Sequence, residues 1–171
     1  MHAEISPEEF KRYAGRTLAP SPWVRIGQDR VDKFADCTDD AQFIHVDPQR
    51  ARDESPFGGT IAHGFLSLSL LSAHAPPDFP VVEGVAFALN YGLDRVRFLS
   101  PVPSDANVRI HTRILEVTEK DPGRLLFRQE KRMEIEGQER PAFIAEHLGM
   151  FVLRDVDTQP SRATNLGGRS A

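Results

Sequence analysis

Cysteine is almost absent from this 171-residue chain, which has only Cys37. A single cysteine cannot form an intrachain disulfide, and a chain without disulfides suits a reducing compartment, so we expect a cytoplasmic protein. The sequence also lacks a long apolar run and the features of a signal peptide, which argues against a membrane protein or a secreted one. It has no long basic run and a formal net charge of −4, so neither nucleic acid nor an anionic membrane is an expected partner.

Two common catalytic patterns are missing as well. His74, His111 and His147 show neither H-E-x-x-H nor Cys/His ligand spacing, so we predict no metal site. The serines of "SLSLLS" lack a G-x-S-x-G elbow, which argues against a serine hydrolase. The remaining composition, 40% hydrophobic and 27% charged, is that of an ordinary globular domain.

Helical patterns come early in the sequence. "SPEEF" from Ser6 predicts a short helix to about Ala14, because it has an N-cap residue, a proline at the first helical position and acids in the first turn. A brief strand at Trp23 to Ile26 precedes a second helix that should end near Thr38. The segment that follows, up to Phe-Gly-Gly, is expected to be a polar loop.

Strand patterns come late in the sequence. Five segments alternate apolar and polar residues between Gly, Pro, Asn and Asp turns, and they predict four or five antiparallel strands. These segments are "GVAFALNYG", "DRVRFLSPVP", "NVRIHTRILEVTEK", "GRLLFRQEKRMEIEG" and "AFIAEHLGMFVLR".

One predicted helix differs from the others. "IAHGFLSLSLLSA", Ile61 to Ala73, carries no charge, and a helix that is apolar on nearly every side is a buried one. An antiparallel sheet that wraps a long buried central helix is an α+β architecture. We therefore predict one domain over residues 1–154, in which 1–20 form an N-terminal helix and extension. The polar segment 155–171 is expected to be a flexible tail.

The helix start carries a motif that resembles a known family. Asp40 and His45 form a D-x(4)-H pattern, which is followed by F-G-G-T-I-A-H-G from Phe57 to Gly64. Together with "NYGLDRVRF", these residues resemble the MaoC-like dehydratases, the (R)-specific enoyl-CoA hydratases of hot-dog fold, and most of all their nodulation protein N-like subgroup. The resemblance runs from about residue 23 to 153. Many members have Asn-Pro where this chain has Gln-Phe at positions 42–43.

This resemblance implies roles for specific residues. Asp40 and His45 take the places of the catalytic acid–base pair, and Gly64 that of the glycine whose backbone N–H forms the oxyanion hole. By itself Asp40 could be a turn or cap residue, His45 a buried histidine and Gly64 a packing glycine. Their order and spacing favour catalysis, because adding water to an enoyl thioester needs two proton transfers and a positive dipole at the thioester oxygen.

Three neighbours of these residues are implied to complete the site. Gln42 stands where many relatives carry an active-site asparagine. Ser72, on the predicted central helix, aligns with a serine near the catalytic pair. His63 precedes the oxyanion glycine, and we expect it to support the loop through a hydrogen bond.

The implied activity is (R)-specific enoyl-CoA hydration, which reversibly converts a trans-2-enoyl-CoA to the (R)-3-hydroxyacyl-CoA. The acyl-CoA is the substrate, and the reaction needs no other cofactor. Three alternatives remain: a dehydratase of 3-hydroxyacyl groups on acyl-carrier protein, a thioesterase on the same fold, and a non-catalytic binder of acyl thioesters. The family architecture also implies a homodimer, which would cover the uncharged helix.

Two further expectations concern residues outside the motif. Cys37 lies one helical turn from Phe34, so we interpret it as a small buried hydrophobe rather than a nucleophile. Arg95, Arg97 and Lys131 could meet the phosphates of coenzyme A, but basic residues on strands more commonly form a solvated face.

Overall fold

The computed structural model describes residues 4–154, with helices in the first half and long strands in the second. The predicted flexible tail lies outside the described residues. The helices are α1 (Pro7–Lys11), α2 (Gln28–Thr38), α3 (Phe43–Val46), α4 (Pro48–Glu54) and α5 (Gly64–Ala73). The strands are β1 (Glu4–Ile5), β2 (Val24–Arg25), β3 (Val81–Val82), β4 (Val85–Phe98), β5 (Asn107–Asp121), β6 (Arg124–Ile135) and β7 (Phe143–Leu153).

Local capping explains most of the helix limits. At α1 the Ser6 side chain accepts from the Glu9 amide while the Glu9 side chain reaches back to Ser6, which forms a capping box. Helix α2 ends at Thr38, as predicted. The expected polar loop after it is wrong, since it contains α3 and α4. Helix α4 forms because the Asp47 side chain caps it by accepting from the Arg50 amide.

One five-stranded sheet, in the order β2-β5-β6-β7-β4, carries the fold. Its pairings are antiparallel, and β1 and β3 form a separate two-stranded parallel pair. The two apolar segments predicted around Asn90 and Val96 are a single strand, β4, whose register against β7 shifts between Asp94 and Arg97. Arg95 has a positive φ of 51° at this irregularity, which is typical of a bulge.

Helix α5 lies against this sheet and begins later than predicted. Ile61 instead forms an isolated bridge with Pro103, so the helix starts at Gly64. Its buried face consists of Leu66, Ser67, Leu70 and Leu71. The opposite face carries Phe65, which is 72% exposed in the single chain. The sheet therefore covers one side of the helix, and the other side is left open.

The N-terminal segment closes the second half of the core. Phe10 of α1 is fully buried, and its ring contacts the rings of Phe79, Phe127 and Phe151. Burying one such ring contributes about 2–3 kcal/mol to folding. The segment 4–20 therefore helps to form the domain instead of standing apart from it.

Two sequence expectations about burial are wrong. Cys37 is exposed, because it lies on the outer face of α2. Lys131 does not belong to a solvated face, since it is only 3% exposed and lies on the inner side of β6 between Gln129 and Met133. Among residues 4–154, no helix has the length and apolar character to cross a bilayer.

Burial sets the electrostatic state of Lys131. Its Nζ donates to the backbone carbonyl of Leu71 at 3.3 Å, and no carboxylate of the described residues lies within 4.0 Å. Desolvation lowers the pKa of Lys131 from 10.5 to about 8. The unfolded chain therefore binds more protons than the folded chain between these two pH values, and stability rises with pH across that window.

Lys131→Met should stabilise the protein at neutral pH, because it removes a buried charge without a counter-ion. The gain in unfolding free energy is about 3 kcal/mol at most, and it should shrink as the pH rises from about 8 towards 10.5. Urea unfolding followed by circular dichroism at about pH 7 and about pH 10 measures it. Arg132→Met, an exposed neighbour on the same strand, is the control and should change little. A destabilised Lys131→Met would contradict the assignment of an unpaired charge.

Candidate active site

Three short segments meet at the start of α5. Asp40 follows the end of α2, and His45 lies in α3. His63 is the N-cap residue of α5, and Gly64 is its first residue. A backbone hydrogen bond of 2.9 Å, donated by the Ile61 amide to the Ile44 carbonyl, joins α3 to the segment that leads into α5. The chain thus brings its D-x(4)-H pattern beside its His-Gly pair.

His45 is oriented by a single hydrogen bond. It is 7% exposed, and its Nδ1 lies 2.7 Å from the carbonyl oxygen of Ile61. A carbonyl can only accept, so Nδ1 carries the proton and Nε2 of the neutral ring is left as an acceptor. Desolvation lowers the pKa of His45, and this outweighs the opposing effects of the Ile61 hydrogen bond and the Asp40 charge. The ring is therefore a neutral base at physiological pH.

Asp40 faces this base without touching it. Asp40, His45 and His63 each offer a polar atom within 4.8 Å of the others, yet Asp40 and His45 make no direct hydrogen bond. A separation of this size can be bridged by one water molecule. Asp40 is exposed and His45 buried, so the pair lies at the boundary between solvent and core.

His63 supports the loop as expected from the sequence. Its Nε2 lies 2.9 Å from the backbone oxygen of Asp40, and its ring stacks on His45 with centroids 3.7 Å apart and an interplanar angle of 26°. Each imidazole lone pair lies in the plane of its own ring, so two stacked rings cannot direct both lone pairs at one ion. The three groups are close enough to suggest a metal site, but this stacking does not suit one.

Gly64 begins α5 with unpaired backbone donors. No side chain caps this helix, so the N–H groups of its first turn have no partner within it. Gly64 and His45 both line a cavity of about 380 Å³, together with Phe98. A Cβ atom at Gly64 would lie 3.1 Å from the half-exposed Phe98 ring. The missing side chain therefore keeps open the space between the helix end and this ring.

Two of the predicted site residues are placed differently. Gln42 is the N-cap residue of α3, and its side chain is exposed and makes no cap hydrogen bond; its backbone carbonyl accepts from the His45 amide at 2.9 Å. Ser72 lies eight residues beyond Gly64, which is about 12 Å along the helix. Its Oγ donates to Asn90 Oδ1 at 2.7 Å, and within one chain it does not reach His45.

Sequence reasoning missed Gln28. Its side-chain nitrogen donates to the His45 carbonyl at 2.7 Å, and its side-chain oxygen accepts from the Thr60 hydroxyl at 2.5 Å. Gln28 therefore holds α3 to the loop that enters α5. Nothing in the spacing of the sequence could reveal it, because the contact depends on how the first turn of α2 packs.

The chain is similar in sequence to known proteins over most of its length. The protein-family model of the MaoC like domain matches residues 9–136 of this chain. Nodulation protein N of Rhizobium leguminosarum bv. viciae is 47% identical over 145 residues, which cover 85% of this chain and 89% of that protein. The 3-hydroxyacyl-thioester dehydratase Z of Mycobacterium tuberculosis is 42% identical over 139 residues, which cover 81% and 91% of the two chains.

The fold also matches that of solved structures. The unliganded R-hydratase PhaJ1 of Pseudomonas aeruginosa superposes with a TM-score of 0.65 at 24% identity, covering 82% of this chain and 83% of that one. An identity this low supports the fold alone. The superposition confirms the predicted α+β architecture of an antiparallel sheet with a central helix. With the family model spanning most of its length and close relatives covering more than four-fifths of it, the chain belongs to the MaoC-like dehydratase family and has its hot-dog fold.

Proposed function

We propose that this protein is an (R)-specific enoyl-CoA hydratase, which reversibly adds water to a trans-2-enoyl-CoA. The observation that carries the proposal is the His45 ring. It is fixed with Nε2 unprotonated, it faces the Asp40 carboxylate, and it lies beside the uncapped start of α5. The name of the matched 3-hydroxyacyl-thioester dehydratase supports the reaction class.

The proposed chemistry uses one water between Asp40 and His45. His45 Nε2 takes a proton from this water as its oxygen bonds to C3 of the enoyl group, and the C2–C3 π electrons move onto the thioester oxygen. The same proton then returns from His45 to C2, which restores the neutral imidazole and completes the addition of water. Dehydration follows the same steps in reverse.

Negative charge on the thioester oxygen requires a donor. We assign this role to the Gly64 N–H, because an unpaired amide at a helix N-terminus carries partial positive charge. These groups supply all the proton transfers and charge stabilisation that hydration requires. The proposed reaction therefore needs no metal, nucleotide or redox cofactor.

One assay separates this function from its alternatives. Loss of enoyl absorbance with crotonyl-CoA and longer enoyl-CoAs reports hydration, and thiol release in the same sample reports thioesterase activity. Matched enoyl groups on acyl-carrier protein test the other carrier. A protein that binds these thioesters and turns over none of them would be a binder, which would overturn the proposed function.

We further propose that the working unit is a homodimer. Strand β4 is a 14-residue edge strand of the sheet, and it exposes Phe87, Leu89, Tyr91 and Leu93. A long apolar edge of this kind is a template for pairing with a second strand. Pairing β4 with its copy would also bring cover to the open face of α5 near Phe65.

Asp40→Asn and His45→Gln should each keep the fold and remove most hydratase activity. Both substitutions are nearly isosteric. His45→Gln deletes the group that transfers the proton, a role that contributes about 10²–10⁴-fold to rate, and Asp40→Asn removes the carboxylate that holds the same water, so a loss of similar size is expected. Because the two groups act on one water, the double variant should be little worse than either single variant. Initial rates with crotonyl-CoA and thermal melting measure both effects. Near wild-type kcat in either single variant would exclude the assigned pair.

The acid limb of the wild-type pH profile tests the assigned base independently. The pKa of His45 is lowered from its ordinary value of 6.5, so its neutral form persists below that pH. We expect kcat/KM to remain high through neutral pH and to fall only as the pH drops through this lowered pKa. The pH profile of the residual activity of His45→Gln should lack this acid limb.

Gly64→Ala should reduce kcat by about 10²–10³-fold, because its methyl group enters the space where the thioester must approach the helix end. The melting temperature should change little, since the half-exposed Phe98 ring can move by a few tenths of an ångström. Gly149→Ala is the matched control. A Cβ there would lie 2.3 Å from the buried Phe127 ring, so it should lower the melting temperature, and turnover of the short substrate crotonyl-CoA per folded molecule should stay normal. A lower melting temperature with normal turnover per folded molecule in Gly64→Ala would instead assign Gly64 to packing.

Light scattering of the wild-type protein at micromolar concentration should return twice the chain mass of 19.1 kDa. Phe87→Lys should shift the protein towards the monomer, because a lysine on an edge strand opposes pairing. Glu130→Lys, at an exposed position of the inner strand β6, is the control and should remain dimeric. A monomeric wild-type protein, or a Phe87→Lys variant as dimeric as the control, would argue against pairing through β4.

A further inference from the structure

A second and larger cavity lies beyond the far end of α5. Its volume is about 680 Å³, and Ser72 marks its border with the helix. Aromatic and aliphatic side chains form much of its wall: Phe79, Val82, Val85, Phe127 and Phe151. It shares no lining residue with the cavity that contains His45. Nothing in the proposed hydration step accounts for what it contains.

The interior of this cavity holds a cation without a counter-ion. Lys131 lines it, and the only partner of its ammonium group among residues 4–154 is the Leu71 carbonyl. The other charged residues of the wall, Glu4 and Arg154, are both exposed. Burial lowers the pKa of His147 to about 4, so this neighbour is neutral. An ammonium group held in this way destabilises the folded chain unless a ligand supplies the missing negative charge.

A second buried donor of this cavity also lacks a partner. Gln129 is 1% exposed, and its side-chain nitrogen has no partner among the described residues. Asn90 Oδ1 already accepts from Ser72 Oγ at 2.7 Å and contacts His147 Nε2 at 3.1 Å. The interior therefore suits a ligand group that only accepts hydrogen bonds and carries negative charge.

An apolar groove lies along α5 between the two cavities and opens into the Lys131 cavity. It runs along the open face of α5 beside β4 and is lined by Phe65, Leu68 and Leu93. At one end Phe65 contacts Phe98, which borders the His45 cavity. At the other end the groove shares Ser72, Asn90 and His147 with the Lys131 cavity. An aliphatic chain that starts at Gly64 and follows α5 for about 12 Å would reach the buried ammonium group.

We propose that the Lys131 cavity binds the carboxylate of an aliphatic carboxylic acid, and that this carboxylate is the far end of the acyl chain of the substrate. A carboxylate fits better than a phosphate, because one ammonium group faces apolar walls and the only arginine of the wall is exposed. The assignment to the substrate rests on the proposed function. A free carboxylic acid offers the same chemistry, and the experiment distinguishes the two sources.

Binding of octanoate to the full-length protein tests the cavity without any turnover. Isothermal titration should show octanoate binding clearly more tightly than 1-octanol, its uncharged counterpart. Lys131→Met should weaken octanoate binding by roughly 10- to 100-fold, which is the range for losing a hydrogen bond to a charged group. Arg132→Met removes the same charge from the exposed face of β6 and should bind octanoate normally. Equal binding of octanoate and 1-octanol, or undiminished binding by a folded Lys131→Met, overturns the proposal.

Kinetics identify the source of the carboxylate. Two trans-2-enoyl-CoAs of equal chain length are compared, one ending in a methyl group and one in a carboxylate. If the substrate supplies the carboxylate, Lys131→Met should lower kcat/KM for the second about tenfold more than for the first. If octanoate binds but Lys131→Met lowers kcat/KM equally for the two thioesters, the cavity is a carboxylate site and its assignment to the substrate is wrong. Octanoate binding with no turnover of either thioester overturns the proposed function alone, so the two failures are distinguishable.

Discussion

The hydrogen bond between the His45 ring and the Ile61 carbonyl is the contact on which the site depends. It lies where the chain passes from a bridge with Pro103 into α5, so one backbone oxygen links the ring to the helix start. The same bond selects the tautomer and leaves Nε2 as the free acceptor of the ring. Gln28 and His63 hold the two flanking segments from either side, through the His45 and Asp40 carbonyls. The proposed acid–base pair and the start of α5 are thereby joined by side-chain hydrogen bonds to the backbone.

The open face of α5 connects fold, assembly and ligand binding. One sheet covers only half of an uncharged helix, and this leaves Phe65 and the edge strand β4 exposed in the single chain. The same open face provides the groove that runs from Phe65 to the Lys131 cavity. A partner paired through β4 would cover this groove and exclude water from it. We therefore regard the proposed dimer and the proposed acyl path as consequences of one structural feature.

Lys131 shows how a binding requirement can oppose stability. Its neighbours on the inner face of β6 include Phe127 and Met133, and a methionine would suit this row better than a buried ammonium group. Local sequence rules place charged residues outside, so a lysine inside a core is informative because it breaks them. Under the proposal, the surrounding cavity explains the buried lysine, because its ammonium group binds the carboxylate of the ligand.

By itself, the sequence determined that helices precede the long strands, the α+β class and the motif that contains Asp40, His45 and Gly64. Periodicity and capping are local, and the motif spans only 25 residues, from 40 to 64. Tertiary structure alone decided that Cys37 is exposed, that Lys131 is buried, that Gln28 supports His45 and that Ser72 lies at the far end of α5. Each of these depends on which strand or helix packs opposite the residue, and contacts between distant segments leave no periodic trace in one sequence.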